Sequence, residues 1–143
     1  MASMVHSRFA ILAVIAALVS VALSTGSKAA ATLAGSEWRP IEVEGVAIEG
    51  TPEVFLQFRG EGKVTGHGGC NRFFGSFTLD GDRIEFGPFG ATRKACPQPV
   101  MDREREFFDT LEKTTTFVRD RIRLSLFDSA CNVAMKLIQT DPD

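Results

Sequence analysis

Histidine is almost missing from this sequence. The 143 residues hold two, His6 and His67. There is also no GxSxG elbow. A hydrolytic triad needs a nucleophile, a base and an orienting group, and the chain is short of the first two. No CxxC pair is present, so thioredoxin-type redox chemistry has no motif to stand on. No basic block is present either. Charges of both signs are mixed along the chain, which argues against a nucleic-acid partner. No repeat of 20 to 50 residues is visible, which excludes a solenoid. The longest apolar run, Phe9 to Leu23, is broken only by Ser20 and falls short of the roughly 20 residues needed to span a bilayer.

That run is preceded by Arg8 and succeeded by the small-residue segment Ser27-Lys28-Ala29-Ala30-Ala31. Together they read as a signal peptide over residues 1–29, cut at about Ala29 to Ala31, with one domain over 30–143. Cleavage removes Arg8 and Lys28. It takes the 16 basic residues to 14 against 18 acidic ones, a net charge of −4. The expected location is periplasmic or secreted, with no membrane span after processing.

Beyond the leader, short strand patterns alternate with turn signals. Trp38 to Val43 is expected as the first strand and 46–51 as a loop. Val54, Leu56 and Phe58 share one face of a second strand, because side chains alternate at period two. Lys63 to Thr65 starts a third. Phe73, Phe77 and Leu79 share a face of the next, with Gly75 between them. Asp80-Gly81 reads as a type I′ hairpin turn, and Arg83 to Phe86 returns with Ile84 and Phe86 inward. From Pro97-Gln98-Pro99 to Lys113 the period becomes helical. Val100, Met101, Phe107, Phe108 and Leu111 make its apolar stripe, with residues 102–106 read as mostly solvated. Thr115 to Val118 is a short strand. Ile122, Leu124 and Leu126, then Val133, Met135 and Leu137, mark the inward faces of two more, separated by a turn at 128–132. The fold expected is α+β: a mainly antiparallel curled sheet or partly open barrel of seven or eight strands, with one covering helix.

The unusual stretch is residues 66–77, GHGGCNRFFGSF. A phosphate loop is excluded, since no GKS or GKT completes it and a strand, not a helix, comes next. The dinucleotide fingerprint fails on the same ground. A metal clip would use His67, Cys70 and Cys96, with Met101 as a further soft donor. The structural alternative makes Gly66, Gly68 and Gly69 a sharp corner and lets Asn71 satisfy backbone groups in the turn. Cys70 then bridges to Cys96, closing a loop worth roughly 3 to 4 kcal/mol. Three cysteines, Cys70, Cys96 and Cys131, allow three pairings, so one thiol is left over. The structural reading is preferred, with the Cys70–Cys96 pair and Cys131 as the candidate free thiol. Of the paired carboxylates, Glu104 with Glu106 and Asp80 with Asp82 read as solvated surface charge. Neither an enzyme nor a cofactor is expected.

Gly69-Cys70-Asn71, Gly75, the hairpin at Asp80-Gly81, Thr92, Ala95-Cys96 and the run Met101…Glu104…Phe107, together with Trp38 and the hairpin from Leu124 to Leu137, resemble the META domain family, which includes the bacterial heat-shock protein HslJ. The resemblance covers roughly residues 33–139. It implies an α+β, mainly antiparallel domain, secreted or membrane-tethered in bacteria. It also implies links to heat stress and novobiocin tolerance, and to virulence in kinetoplastid parasites. Gly69, Asn71, Gly75 and Thr92 become the structural motif. The family brings no catalytic residues. Two features depart from it: the leader has no lipidation cysteine, and Cys131 stands where a small residue or glycine is usual. The expected role is a non-enzymatic, stress-related envelope protein acting through an envelope protein or small-molecule partner. The alternative is a metal- or small-ligand-binding module centred on His67, Cys70 and Cys96.

Overall fold

The computed structural model describes residues 33–49 and 53–140. The expected leader at 1–29 lies outside them, as do residues 30–32, 50–52 and 141–143. Alternation in the sequence becomes ten strands: β1 (Glu37–Val43), β2 (Val46–Ala47), β3 (Phe55–Phe58), β4 (Lys63–His67), β5 (Arg72–Asp80), β6 (Arg83–Phe86), β7 (Gly90–Ala91), β8 (Thr114–Asp120), β9 (Arg123–Asp128) and β10 (Val133–Thr140). The single helix among the described residues, α1 (Gln98–Glu112), joins β7 to β8.

Eight strands run in the order β10-β9-β8-β6-β5-β4-β3-β1, and β10 pairs back onto β1. The sheet is therefore a closed antiparallel barrel. β2 is added to β1 and β7 to β5. Closure is uneven. β6 meets β8 through the one register pair Arg83↔Thr116, and β1 meets β3 only at Glu37 and Trp38. Past a register shift between Pro40 and Glu42, β1 takes β2 as its neighbour at Glu42 and Val43.

The inward faces fill the barrel with Trp38, Leu56, Phe58, Val64, Phe73, Ile84, Leu124, Leu126, Met135 and Leu137, all at most 2% exposed. Trp38 Nε1 donates to Ser36 Oγ at 2.7 Å, so the one indole is buried with its polar atom satisfied. α1 docks through aromatic contacts. Phe73 lies 5.8 Å from Phe107, 5.3 Å from Phe108 and 5.4 Å from Phe89, ring centre to ring centre, all edge-on. Gly75 leaves room for this cluster: a Cβ there would come within 2.8 Å of the Phe89 ring. Among the described residues, no helix is long and apolar enough to cross a membrane.

Several local expectations shift. Residues 46–47, read as loop, pair with β1. The hairpin after β5 turns one residue later than expected. Asp80 pairs with Arg83, and the positive φ falls on Gly81 alone, the pattern of a type II′ turn. Ile122, expected inward, is 56% exposed. It stands in the turn before β9, where its carbonyl still accepts the Gln139 N–H at 2.8 Å but its side chain is left uncovered. Val133, also expected inward, is 38% exposed. A bulge between Val133 and Met135 breaks the alternation.

The last turn is built around Asp128. Its Oδ1 accepts the N–H groups of Ala130 and Asn132, both at 2.9 Å, and its Oδ2 accepts the Asn132 side-chain amide at 3.2 Å. These bonds, the Asn132 backbone N–H foremost, hold the carboxyl below its ordinary value of 3.8. A depressed folded-state pKa adds stability above the unfolded value and loses it as pH falls through the folded one. Asp128→Ala should therefore show a smaller drop in Tm than wild type on acidification below about pH 4. Parallel melting curves from pH 5 to pH 2 test this, and equal drops would refute it. Cys131 occupies the same turn, exposed and unpaired, in the left-handed region at φ 63°.

Candidate functional site

The glycine corner 66–71 joins β4 to β5 and meets the entry of α1. Gly69 has φ 113°, a conformation that side chains rarely adopt. It sits between β3 and the helix: a Cβ there would lie 3.5 Å from Val54 Cγ2 and 3.8 Å from Val100 Cγ1. The structure joins Cys70 to Cys96, with Cα atoms 6.0 Å apart. The corner is thereby tied to the residue just before Pro97, where the helix begins.

The centre of this junction is Glu104, 5% exposed. Its Oε2 accepts the backbone N–H of Cys70 at 2.9 Å and of Asn71 at 2.6 Å, and its Oε1 accepts Asn71 Nδ2 at 2.7 Å. Asn71 completes the network from the other side. Its Oδ1 accepts Thr92 Oγ1 at 2.9 Å and the Lys94 N–H at 2.7 Å. Thr92 Oγ1 in turn accepts the Arg72 N–H at 3.2 Å. One carboxylate and one amide thus bind three chain segments: the corner, the stretch after β7, and α1. No buried side-chain nitrogen or oxygen among the described residues lacks a partner.

The solvated assignment of Glu104 is therefore corrected: the carboxylate is buried and accepts charge-assisted bonds. The sign of this was in the helical period. Glu104 stands four residues after Val100 and three before Phe107, on the apolar stripe. The charged run Asp102 to Glu106 masked it. Gly68 is needed beside it, since a Cβ there would fall 2.7 Å from Glu104 Cγ.

His67 turns its Nδ1 to accept the Gly69 N–H at 3.1 Å. With Cys70 and Cys96 bonded to each other, neither sulfur presents a thiolate to a metal. No group of three His, Cys, Asp or Glu among the described residues is arranged to hold one.

Beside the junction lies a groove of about 450 Å³. It opens where β1 has left β3. Its walls are Val43, Val46, Ala47 and Ile48 on one side, Val54 with Gly68 and Gly69 on another, and Val100 and Phe107 of α1. Glu49, Glu53, Arg103 and Glu106 stand at its edge. An apolar concavity of this size with few polar groups is the usual form of a small-ligand site. No sequence motif marked it, because its residues come from four separated segments.

The family model described as META domain matches residues 31–140. No curated protein matches. Three solved structures share the fold. An NMR structure of a protein from Burkholderia xenovorans aligns with a TM-score of 0.63 at 20% identity, over 80% of this chain and 88% of that one. A second NMR structure aligns at 0.59 and 17% identity, over 77% and 92%. A crystal structure of a DUF4847 family protein from Bacteroides vulgatus aligns at 0.50 and 16% identity, over 64% and 62%.

Proposed function

We infer that this chain, which belongs to the META domain family, works by binding and not by catalysis. It is a stress-related envelope protein that holds an apolar ligand or partner segment in the groove between α1 and β2. The observation that carries the reading is the groove itself: apolar walls, a polar edge and about 450 Å³ of space, backed by a corner that a disulfide and Glu104 make rigid. Preorganised walls raise affinity because less freedom is lost on binding. The family is in general non-catalytic. The two groups that would attract a mechanism are occupied, His67 by the Gly69 N–H and Glu104 by three donors. An exported location is supported by the sequence pattern of a leader at 1–29 and by a disulfide, which persists in oxidising compartments.

The uncharged, environment-sensitive dye Nile red tests the groove. It should bind one-to-one with a fluorescence rise, and Ala47→Trp, which fills the groove from its exposed edge, should weaken binding at least about fivefold. The substitution is at the surface, so stability should change by no more than about 0.5 kcal/mol. Unchanged dye affinity in a folded Ala47→Trp protein would remove the groove as the site. The alternative metal site on His67, Cys70 and Cys96 demands a reduced chain. Its test is a zinc titration before and after reduction, with His67→Ala as control.

A further inference from the structure

Resting on that reading, we propose that the groove selects a cationic amphiphile: an apolar body that enters between β2 and α1, carrying an amine or guanidine that stays at the edge. The edge holds three carboxylates, Glu49, Glu53 and Glu106, against one guanidinium, Arg103. None of the four has an ion-pair partner within 4 Å among the described residues; the ion pairs formed there involve other residues. The neighbouring acids are different. Glu44 has Lys113 at 2.6 Å and Glu42 has Lys136 at 2.9 Å, so the nearby lysines are committed. Residues 50–52, Gly-Thr-Pro, carry no charge of their own to offset Glu49 and Glu53. Arg103 donates its Nε to the Pro99 carbonyl at 3.2 Å, and its single positive charge still leaves the three carboxylates in excess at the edge.

The field at the mouth is therefore negative, and the space behind it is apolar. An anionic amphiphile gains the same burial but carries its charge against the edge. A neutral one gains burial alone. Charges facing a low-dielectric wall interact more strongly than the same charges in bulk water. The discrimination should fall as salt screens it.

Octylamine, octanol and octanoate, each below its aggregation limit at pH 7, are the probes, read by displacement of bound Nile red. Octylamine should displace at about tenfold lower concentration than octanoate, with octanol between them. The triple substitution Glu49→Gln, Glu53→Gln, Glu106→Gln should bring the three probes to within about twofold, as should 0.5 M sodium chloride to a lesser degree. All three positions are exposed, so the fold should survive, and retained Nile red binding serves as the control. Octanoate equal to or better than octylamine would overturn the charge selection, as would an amine preference that persists in the triple variant. In both cases the groove reading would stand. A protein that binds neither Nile red nor any of the three probes overturns the proposal and that reading together.

Discussion

Glu104→Ala is expected to destabilise the domain by about 4 kcal/mol and to lower Tm by about 15 °C. The carboxylate accepts from two backbone N–H groups and one side-chain amide. Cys70 and Asn71, which supply all three donors, are each 3% exposed. Truncation removes the acceptor and leaves every donor in place. An orphaned buried donor costs about 1–3 kcal/mol, and bonds to charged groups lie at the upper end of the range. Water entering from the adjacent groove offsets part of this, which keeps the figure below the sum. Glu104→Gln should cost roughly half as much: its oxygen can replace Oε2, but its amide then faces the Asn71 amide, donor against donor. Denaturant unfolding of the oxidised protein measures both. A loss below about 1 kcal/mol for the alanine variant would mean that the three bonds do not hold the corner in solution.

Removing the disulfide should cost about 3 to 4 kcal/mol. Cys70 and Cys96 are 26 residues apart in sequence, and the chain-entropy account gives that much for a loop of this length. Cys70→Ala with Cys96→Ala should thus melt about 12–15 °C below the oxidised wild type. Reduction of the wild type should approach the same value. A Tm unchanged by both treatments would show that the bridge adds nothing to a corner already held by Glu104. The two effects should not add. Without the bridge, the corner is free to move off the helix and expose its N–H groups to water, so Glu104→Ala costs less in that background. A double-mutant cycle should return a coupling of about 1–2 kcal/mol. Strict additivity would assign the two devices to separate parts of the structure.

Both devices bear on the proposed binding, because Gly68 and Gly69 form one wall of the groove. Loss of either is expected to weaken Nile red binding without touching a residue at the charged edge. This separates a softened wall from an altered edge charge. The network also accounts for the spread of the motif residues. Asn71, Thr92 and Glu104 lie far apart in sequence and meet through direct hydrogen bonds. Gly75 acts elsewhere, by making room for Phe89 under the helix.

Most of the elements were legible in the residue pattern, though not the two-residue strands β2 and β7. Period-two alternation placed the inward faces of β3, β5 and β6, and a 3.6-residue stripe placed α1, because both patterns record which side of a regular element is buried. The family resemblance on Cys70, Asn71, Thr92 and the helix was likewise legible and is borne out by the match over residues 31–140. Tertiary structure decided what depends on one element meeting another. Pairing of β1 with β10 closed the barrel, a contact between residues about a hundred positions apart that no local window contains. A bulge turned Val133 outward and a turn left Ile122 uncovered, since alternation carries information only while the ladder runs unbroken. Glu104 looked like one more charge in a charged run until the corner supplied three donors to it. The groove exists only where β1 parts from β3 beneath the helix: a cavity is a property of the space between segments, and no residue carries it alone.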